Sequence, residues 1–262
     1  MPWFREVDSY QNIAHGNMDG MSPTHKFGKN DDVGTTYEPL SIGGIYRTPQ
    51  VAGAVTVRVK AGGNANDTAA GSGAREVTVQ GLDETGALVS EAITTAGASA
   101  SSATTTTFIR IFRAYVSSSG TYATASAGSH AAAIVIEDSG GVEDWLTIWF
   151  TDFPRSQSQI GAYSVPLGKT AFVHEYVLTT DANKAVDFVF FKRESILDTA
   201  APYQAMRTVV EEIGIQGEFA GTFPGGQKFT ELTDIGWMVK AASAAIVTAD
   251  FEIQLVDNAL VT

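Results

Sequence analysis

Hydrophobic and polar residues alternate along several stretches of the chain with a period of two. Residues 75–93 show this most clearly, because Val77 and Val79 alternate with polar neighbours and a second alternating arm follows Gly86. Such a period places successive side chains on opposite faces of a strand. Between the arms, Asp83 can hydrogen-bond to its own backbone and Gly86 can adopt a positive φ. Residues 75–93 are therefore predicted to form a β-hairpin.

The same pattern predicts further strands, separated by short turns that contain Gly, Pro, Asn or Asp. These strands are predicted at residues 55–59, 108–116, 122–124, 132–137, 170–179, 185–192 and 244–256. Residues 199–213 fit either a helix or a strand, with a strand favoured. Because no long amphipathic helical pattern appears, the sequence indicates an all-β fold. Two β-sandwich or jelly-roll-like domains are expected, residues 51–140 and residues 141–262, with a boundary in the glycine-containing segment 139–142.

Residues 1–50 lack any sustained period and carry scattered aromatic and aliphatic residues. Long irregular segments are uncommon inside compact domains, and a fully solvated tail would contain fewer aromatic residues. This region is therefore predicted to be an extended N-terminal arm that docks on its own body or on a neighbouring subunit. The expected assembly contacts in this arm are Trp3, Phe4, Phe27, Tyr37, Ile45 and Tyr46.

Composition excludes several classes of function. The formal net charge of −12, without a cluster of basic residues, argues against direct nucleic-acid binding. The chain has no cysteine, which excludes disulfides, thiolate metal sites and thiol catalysis. No apolar run approaches the roughly 20 residues of a membrane helix, and residues 1–8 do not resemble a signal peptide. A soluble protein that assembles in the cytosol is expected.

Three short motifs resemble catalytic or nucleotide-binding patterns but lack their required context. Residues 166–170 end like a phosphate-binding loop, yet Tyr163 stands where that pattern needs a glycine and a strand pattern follows. Residues 71–75 resemble half of a dinucleotide fingerprint but precede a strand instead of a helix. His174 begins a zinc-protease pattern whose second histidine is replaced by Leu178. These segments are interpreted as a turn, a loop and a strand face.

Candidate metal ligands, paired carboxylates and tryptophans do not predict a functional site more strongly than these motifs. His15, His25, Asp31 and Asp32 carry suitable ligand groups, but their spacing matches no known metal site. Adjacent carboxylates on a strand point to opposite faces, so they cannot act together on one bond; these pairs are Asp83/Glu84, Glu143/Asp144 and Glu211/Glu212. A carbohydrate-binding β-sandwich would use Trp145, Trp149 and Trp237 as stacking residues. Trp145 and Trp149 are four apart in a strand-like stretch and so share one face, which favours core packing instead. No enzyme activity, cofactor or metal is predicted.

Several short blocks resemble a known group of proteins. Residues 15–16, 24–30, 66–83, 163–172 and 251–258 are similar to virion structural proteins of marine tailed bacteriophages. The resemblance touches most of the chain, and it implies a structural role without catalytic residues. Members of this group are typically described only as structural, so head and tail locations both stay open.

The sequence therefore predicts a non-enzymatic virion protein. The first hypothesis is a capsid decoration or cement protein that is anchored by its N-terminal arm. The alternatives are a tail component, such as an adaptor, nozzle or fibre-base protein, and a carbohydrate-binding β-sandwich. The expected partners are other virion proteins, namely the major capsid protein or tail proteins, together with further copies of the chain in a homo-oligomer. Neither nucleic acid nor a membrane is an expected partner.

Overall fold

The computed structural model describes residues 9–44, 46, 53–122, 124, 128–150 and 155–261. Over these residues the protein is almost entirely β-structure, which confirms the predicted all-β class. The described helical elements are one short helix, α1 (Ser9–Ala14), and 3₁₀ turns at Ile42–Gly44 and Asn258–Leu260.

The strands form four antiparallel sheets, here called sheets I to IV. Sheet I contains, in spatial order, β1 (Met21–Val33), β15 (Ala245–Asp257), β10 (Lys169–Thr180) and β13 (Glu218–Phe229). Sheet II contains β12 (Arg207–Ile215), β11 (Val186–Arg193), β14 (Asp234–Ala241) and β2 (Glu38–Pro39), with β9 (Ala162–Ser164) also paired to β14. Sheet III contains β3 (Val57–Val59), β7 (Ile134–Asp138) and β8 (Asp144–Ile148). Sheet IV contains β5 (Leu88–Thr94), β4 (Ala74–Asp83) and β6 (Phe108–Ser119).

Sheets I and II pack face to face and form what we call the sandwich unit. Aromatic side chains from both sheets fill the space between them, with Phe190 of β11 at the centre. The Phe190 ring lies 4.8 Å from Trp237 and 5.5 Å from Phe251, measured between ring centroids. Tilted and edge-on ring pairs of this kind add to the free energy gained by burying their area.

Sheets III and IV enclose a second core and form what we call the insert unit. Val57 and Ile136 from sheet III pack in the same cluster as Val77, Val79 and Ile111 from sheet IV. The chain therefore begins the sandwich unit with β1 and β2, builds the insert unit, and then returns to complete the sandwich unit.

This nested order differs from the predicted sequence of an arm followed by two domains. Residues 21–33, predicted as part of the arm, form β1 and pair along β15 from Met21–Val256 to Val33–Ala245. Segment 139–142, predicted as a domain boundary, is a tight turn that joins β7 to β8 within sheet III. Local patterns identified many of the strands, though not β1, β13 or β14. They carried no information on which distant strand would become a neighbour.

The low-complexity run at residues 94–107 lies along β3 through an unusual set of hydrogen bonds. Ser101 and Thr104 are buried, and their amides donate to the carbonyl oxygens of Val59 and Val57 at 3.0 and 2.8 Å. Their hydroxyls accept from the amides of the same two valines at 2.9 and 3.0 Å. Small hydroxyl residues therefore replace half of the backbone bonds of a paired strand.

The predicted hairpin at residues 75–93 is confirmed as β4 and β5. Asp83 accepts hydrogen bonds from the amides of Thr85 and Ala87 at 2.8 and 3.0 Å, and Gly86 adopts a φ of 83°. Residues 199–213, where helix and strand were both considered, contain the first part of strand β12. Tyr122 and Thr124, predicted as the ends of a short strand, lie outside any strand.

Gly81 gives a direct test of how closely β4 and β6 must approach. A Cβ atom at this position would overlap the carbonyl oxygen of Arg110 on β6, whereas Gly168, with a φ of 80°, has open space around it. We expect Gly81→Ala to lower the free energy of unfolding by about 3 kcal/mol, because the backbone of β6 must move. Gly168→Ala, the control, should cost about 1 kcal/mol from backbone strain alone. Denaturant unfolding measures both, and equal losses would contradict the close approach.

Candidate functional site

The most distinctive polar cluster joins the insert unit to the sandwich unit, and we call it the polar joint. Arg110 on β6 donates from Nε to both carboxylate oxygens of Asp234 on β14 at 3.0 Å, and from Nη2 to Oδ2 at 2.8 Å. The Ser164 hydroxyl of β9 donates to Asp234 Oδ1 at 2.6 Å. The side chains of Arg110 and Asp234 are 0 and 1% exposed. Sequence patterns missed this pair because its members lie 124 residues apart.

Position on the strand explains why a charge is buried here. Residues Phe108 to Phe112 of β6 are all buried, since one face of β6 packs in the insert core and the other against the sandwich core. Burial alone would lower the pKa of Arg110, but the Asp234 carboxylate outweighs it and raises that pKa above its usual value. The guanidinium therefore stays charged in the interior.

Two further side chains adjoin the joint. Arg193 lies opposite Asp234 in the β11–β14 register, and burial together with Arg110 lowers the pKa of its guanidinium. Tyr46 is buried, and burial raises the pKa of its hydroxyl. The cavity beside Arg110 and Arg193 measures only about 10 Å³, roughly the least that one water molecule needs. The polar joint therefore has no room for a substrate and acts as a structural connection.

The predicted arm contacts do not form one surface. Trp3, Phe4 and Ile45 lie outside the described residues. Phe27 is half-buried on β1 opposite Asp250, and Tyr46 is buried in the insert core.

Tyr37 is the exposed member of the predicted contact set, with 41% of its surface accessible. The ammonium of Lys240 lies 4.7 Å from its ring centroid, and its hydroxyl donates to Glu211 at 3.5 Å. Of the predicted arm contacts that the structure describes, Tyr37 is therefore the one best placed to meet a partner.

Two of the three short motifs, segment 166–170 and His174, lie in the turn and on the strand that the sequence around them predicted. In segment 166–170, the Lys169 amide donates to the Pro166 carbonyl in a turn, and Lys169 opens strand β10 and pairs with Asp257. His174 lies on β10, where its Nε2 atom is 3.1 Å from Gln254 Oε1. Neither motif forms a phosphate or zinc site.

The candidate metal ligands are not brought together. His25 lies 3.9 Å from Glu252, whereas Asp31 pairs with Lys29 further along β1. His15 follows α1 and is exposed. Across the described part of the chain, no group of three or more His, Asp or Glu residues has the geometry of a metal site.

The paired carboxylates and the tryptophans also have structural partners. Glu211 accepts from Tyr37, while Glu212 accepts from Tyr176 at 2.8 Å, so the two carboxylates point in different directions as predicted. Trp145 and Trp237 are each 1% exposed. These two tryptophans therefore cannot offer a stacking surface to a sugar.

Asp67 is a second structural residue that sequence analysis missed. Its carboxylate accepts hydrogen bonds from the amides of Ala74, Ala131 and Ala132 at 2.8 to 3.2 Å. One buried carboxylate thereby connects the loop before β4 to the loop before β7. Its distant amide partners leave no local signal in the sequence around Asp67.

Lys26 is a buried cation in a cleft between β1 and sheet IV. Its side chain lies on the inner face of β1, is 7% exposed, and donates from Nζ to the Phe112 carbonyl at 2.6 Å. Burial, assisted by the nearby Arg113 guanidinium, lowers the pKa of Lys26 to about 7. The cleft has a volume of about 340 Å³, within the usual range of small-molecule pockets. Its lining residues are Thr24, His25, Lys26, Gln80, Leu88, Val89, Ser90, Phe112, Arg113 and Tyr163.

Comparison with known proteins adds no family assignment. Protein-family models, curated proteins and solved structures give no match to this chain. Within the described residues, none of the helices has the length and hydrophobicity needed to cross a bilayer.

The polar joint can be tested by removing its charges singly and together. Arg110→Met or Asp234→Asn should each lower the free energy of unfolding by about 3–5 kcal/mol, because each leaves a buried charge without its partner. The double variant should lose less than the sum of the two. Asp144→Asn, which breaks the exposed Lys60–Asp144 pair, is the control and should cost less than about 1 kcal/mol. Additive losses in denaturant unfolding would show that the joint is not a coupled pair.

Lys26 predicts a defined pH dependence of stability. Its pKa is about 7 in the folded protein and 10.5 ordinarily, so between these values the unfolded chain binds more protons. Stability should therefore rise with pH across this window, and the full penalty should be present below about pH 7. Lys26→Met keeps the apolar stem and should raise stability at pH 6 by a few kcal/mol. The measurement is unfolding at several pH values, with exposed Lys228→Met as the control.

An unchanged slope of stability against pH in the Lys26→Met variant would contradict this assignment. Equal effects of Lys26→Met and Lys228→Met would contradict it as well, since the latter removes only a solvated charge.

Proposed function

We propose that this chain is a non-enzymatic structural protein of a tailed bacteriophage virion, and specifically a capsid decoration or cement protein anchored by its N-terminal residues. The observation that carries the proposal is the exposed edge of the sandwich unit. Strands β12 and β13 follow one another in the chain, and each lies at the end of its sheet. Strand β12 is mostly exposed along its length, and Ile213 has 70% of its surface accessible. A long exposed edge with apolar residues is typical of a surface that meets other chains.

The strand order supports a building-block role. Sheet I runs β1–β15–β10–β13 and the main path of sheet II runs β2–β14–β11–β12, so the chain crosses repeatedly between the two sheets. This order favours a jelly-roll interpretation of the sandwich unit, an architecture that viral capsid proteins share with lectins and cupins. Fold alone does not assign function. The sequence resemblance to phage virion proteins is the reason for proposing a virion protein rather than another jelly-roll protein.

The use of the ionisable residues favours the same conclusion. Arg110, Asp234 and Asp67 serve internal connections, and the catalytic motifs considered in the sequence occupy turns and strands. With a net charge of −12, the protein would be repelled by packaged DNA and is suited to a position against other proteins. The expected partners are the major capsid protein and further copies of the chain.

A truncation tests the anchor without disturbing the body. Residues 2–8 include Trp3 and Phe4 and precede α1, whereas removal of residues 1–50 would also remove β1 and β2 from the sandwich unit. We expect the 2–8 deletion to fold like the full chain and to lose incorporation into particles by at least about tenfold. Circular dichroism and thermal unfolding check the fold, and quantitative mass spectrometry of purified particles measures incorporation. Normal incorporation would contradict the anchor.

A density map of purified particles tests the location. Decoration of the shell requires on the order of hundreds of copies, since each symmetric position is occupied, whereas a tail position requires about a dozen. A low copy number with density at the tail would assign the chain to the tail component instead. Absence from particles of a phage that encodes it would overturn the virion role.

A further inference from the structure

The cleft between β1 and sheet IV contains two neighbouring cations, Lys26 and Arg113, that pair with none of the described carboxylates. Most lysine and arginine side chains that the structure describes form ion pairs with a carboxylate. Lys26 and Arg113 form none, although the chain carries a large excess of acidic residues. In a protein of this composition, two adjacent unpaired cations are the exception.

The contacts of Lys26 within the protein do not require a charged side chain. Its Nζ atom donates to the Phe112 carbonyl and lies 5.6 Å from the centroid of the Phe112 ring, and both contacts connect β1 to β6. A neutral donor could make that connection, whereas a buried ammonium loses its hydration and lies near the positive charge of Arg113. The protein thus keeps a destabilising charge in a cleft, which is a common property of binding sites.

The cleft wall has two kinds of surface. Lys26 and Arg113 provide the positive groups, with Thr24, Gln80 and Ser90 as neutral polar neighbours. Leu88, Val89 and the rings of Phe112 and Tyr163 provide an apolar side, and these two rings lie 4.6 Å apart between centroids. A few polar groups that converge beside an apolar wall are typical of a small-molecule site.

We propose that this cleft binds a small organic acid. The acid group lies between the ammonium of Lys26 and the guanidinium of Arg113, and the apolar body lies against Leu88, Phe112 and Tyr163. A carboxylate in this position neutralises both cations and accepts charge-assisted hydrogen bonds from them. This inference is independent of the proposed virion role, because a cleft of this kind can serve a protein in the head or the tail.

Binding should be linked to protonation. An acid group beside Lys26 favours its charged form, so affinity should fall as pH rises from about 6 to about 9. The other titratable groups around Lys26 are Arg113 on β6, Tyr163 on β9 and the adjacent His25, which faces Glu252. Burial raises the pKa of Tyr163, so it stays neutral in this range. The His25→Gln variant separates the contribution of His25 from that of Lys26.

The test uses benzoate, with benzamide as its neutral counterpart and inorganic phosphate as an acid without an apolar body. Benzoate at millimolar concentration should shift the backbone amide NMR signals of Lys26, Leu88 and Arg113. Benzamide and phosphate should each bind at least about tenfold more weakly. The exposed substitution Arg113→Gln should weaken benzoate binding at least about tenfold. Lys228→Gln, which removes an exposed cation from β13, should leave it unchanged.

Three results would overturn the proposal. The first is the absence of any benzoate-dependent shift at these residues in the full-length protein. The second is equal binding of benzoate and either control ligand, which would show that the charge or the apolar wall is not used. The third is an equal effect of Arg113→Gln and Lys228→Gln, which would reduce the binding to a general effect of net charge.

Discussion

Strand β6 is buried on both faces and carries a charge in its middle, and this charge fixes how the insert unit joins the sandwich unit. Residues Phe108 to Phe112 of β6 separate two hydrophobic cores, and Arg110 within them is completely buried. A buried guanidinium is tolerated only where a carboxylate and further hydrogen bonds compensate it. That carboxylate, Asp234, belongs to the sandwich unit. Apolar packing between two units can accept several offsets, whereas this ion pair is satisfied in one arrangement alone.

The nested chain order also makes the sandwich unit depend on contacts between distant parts of the chain. Strand β1 is separated from its partner β15 by more than two hundred residues, and the insert unit lies between them. Closure of a long loop must precede the contacts that compensate its entropy, so folds of this type form slowly. The close approach of Gly81 to the β6 backbone and the hydroxyl bonds of Ser101 and Thr104 stabilise the insert unit locally. These contacts hold the strands of the insert unit together locally.

The charged side chains fall into two groups, those with partners inside the protein and those at the cleft. Arg110 and Asp67 have their full set of partners in the interior, and most other cations pair with carboxylates. Lys26 and Arg113 pair with none of the described carboxylates and lie together at a cleft along β1. The body is acidic, and strands β12 and β13 leave exposed sheet edges. The cleft adds a chemical capacity that a purely structural role would not require.

Local sequence patterns predicted the all-β class, the hairpin at residues 75–93 and several longer strands, among them β6, β10, β11 and β15. Periods of two and turn residues are local properties, so Asp83 and Gly86 could be assigned to the hairpin turn from their neighbours alone. The same reasoning correctly separated the directions of Glu211 and Glu212 and placed Trp145 in a core. A local pattern reports which faces of a segment are buried.

Which strands become neighbours is set in the folded chain, and with it the polar joint and the basic cleft. The joint brings Arg110 to Asp234 across 124 residues, and the cleft brings Lys26 to Phe112 across 86. No local periodicity encodes such partners, because the energy of a buried charge depends on what surrounds it in space. The sequence-based division into an arm and two successive domains differed from the nested fold for the same reason. Strand identity is a property of a segment, whereas strand order and the environment of a charge are properties of the whole chain.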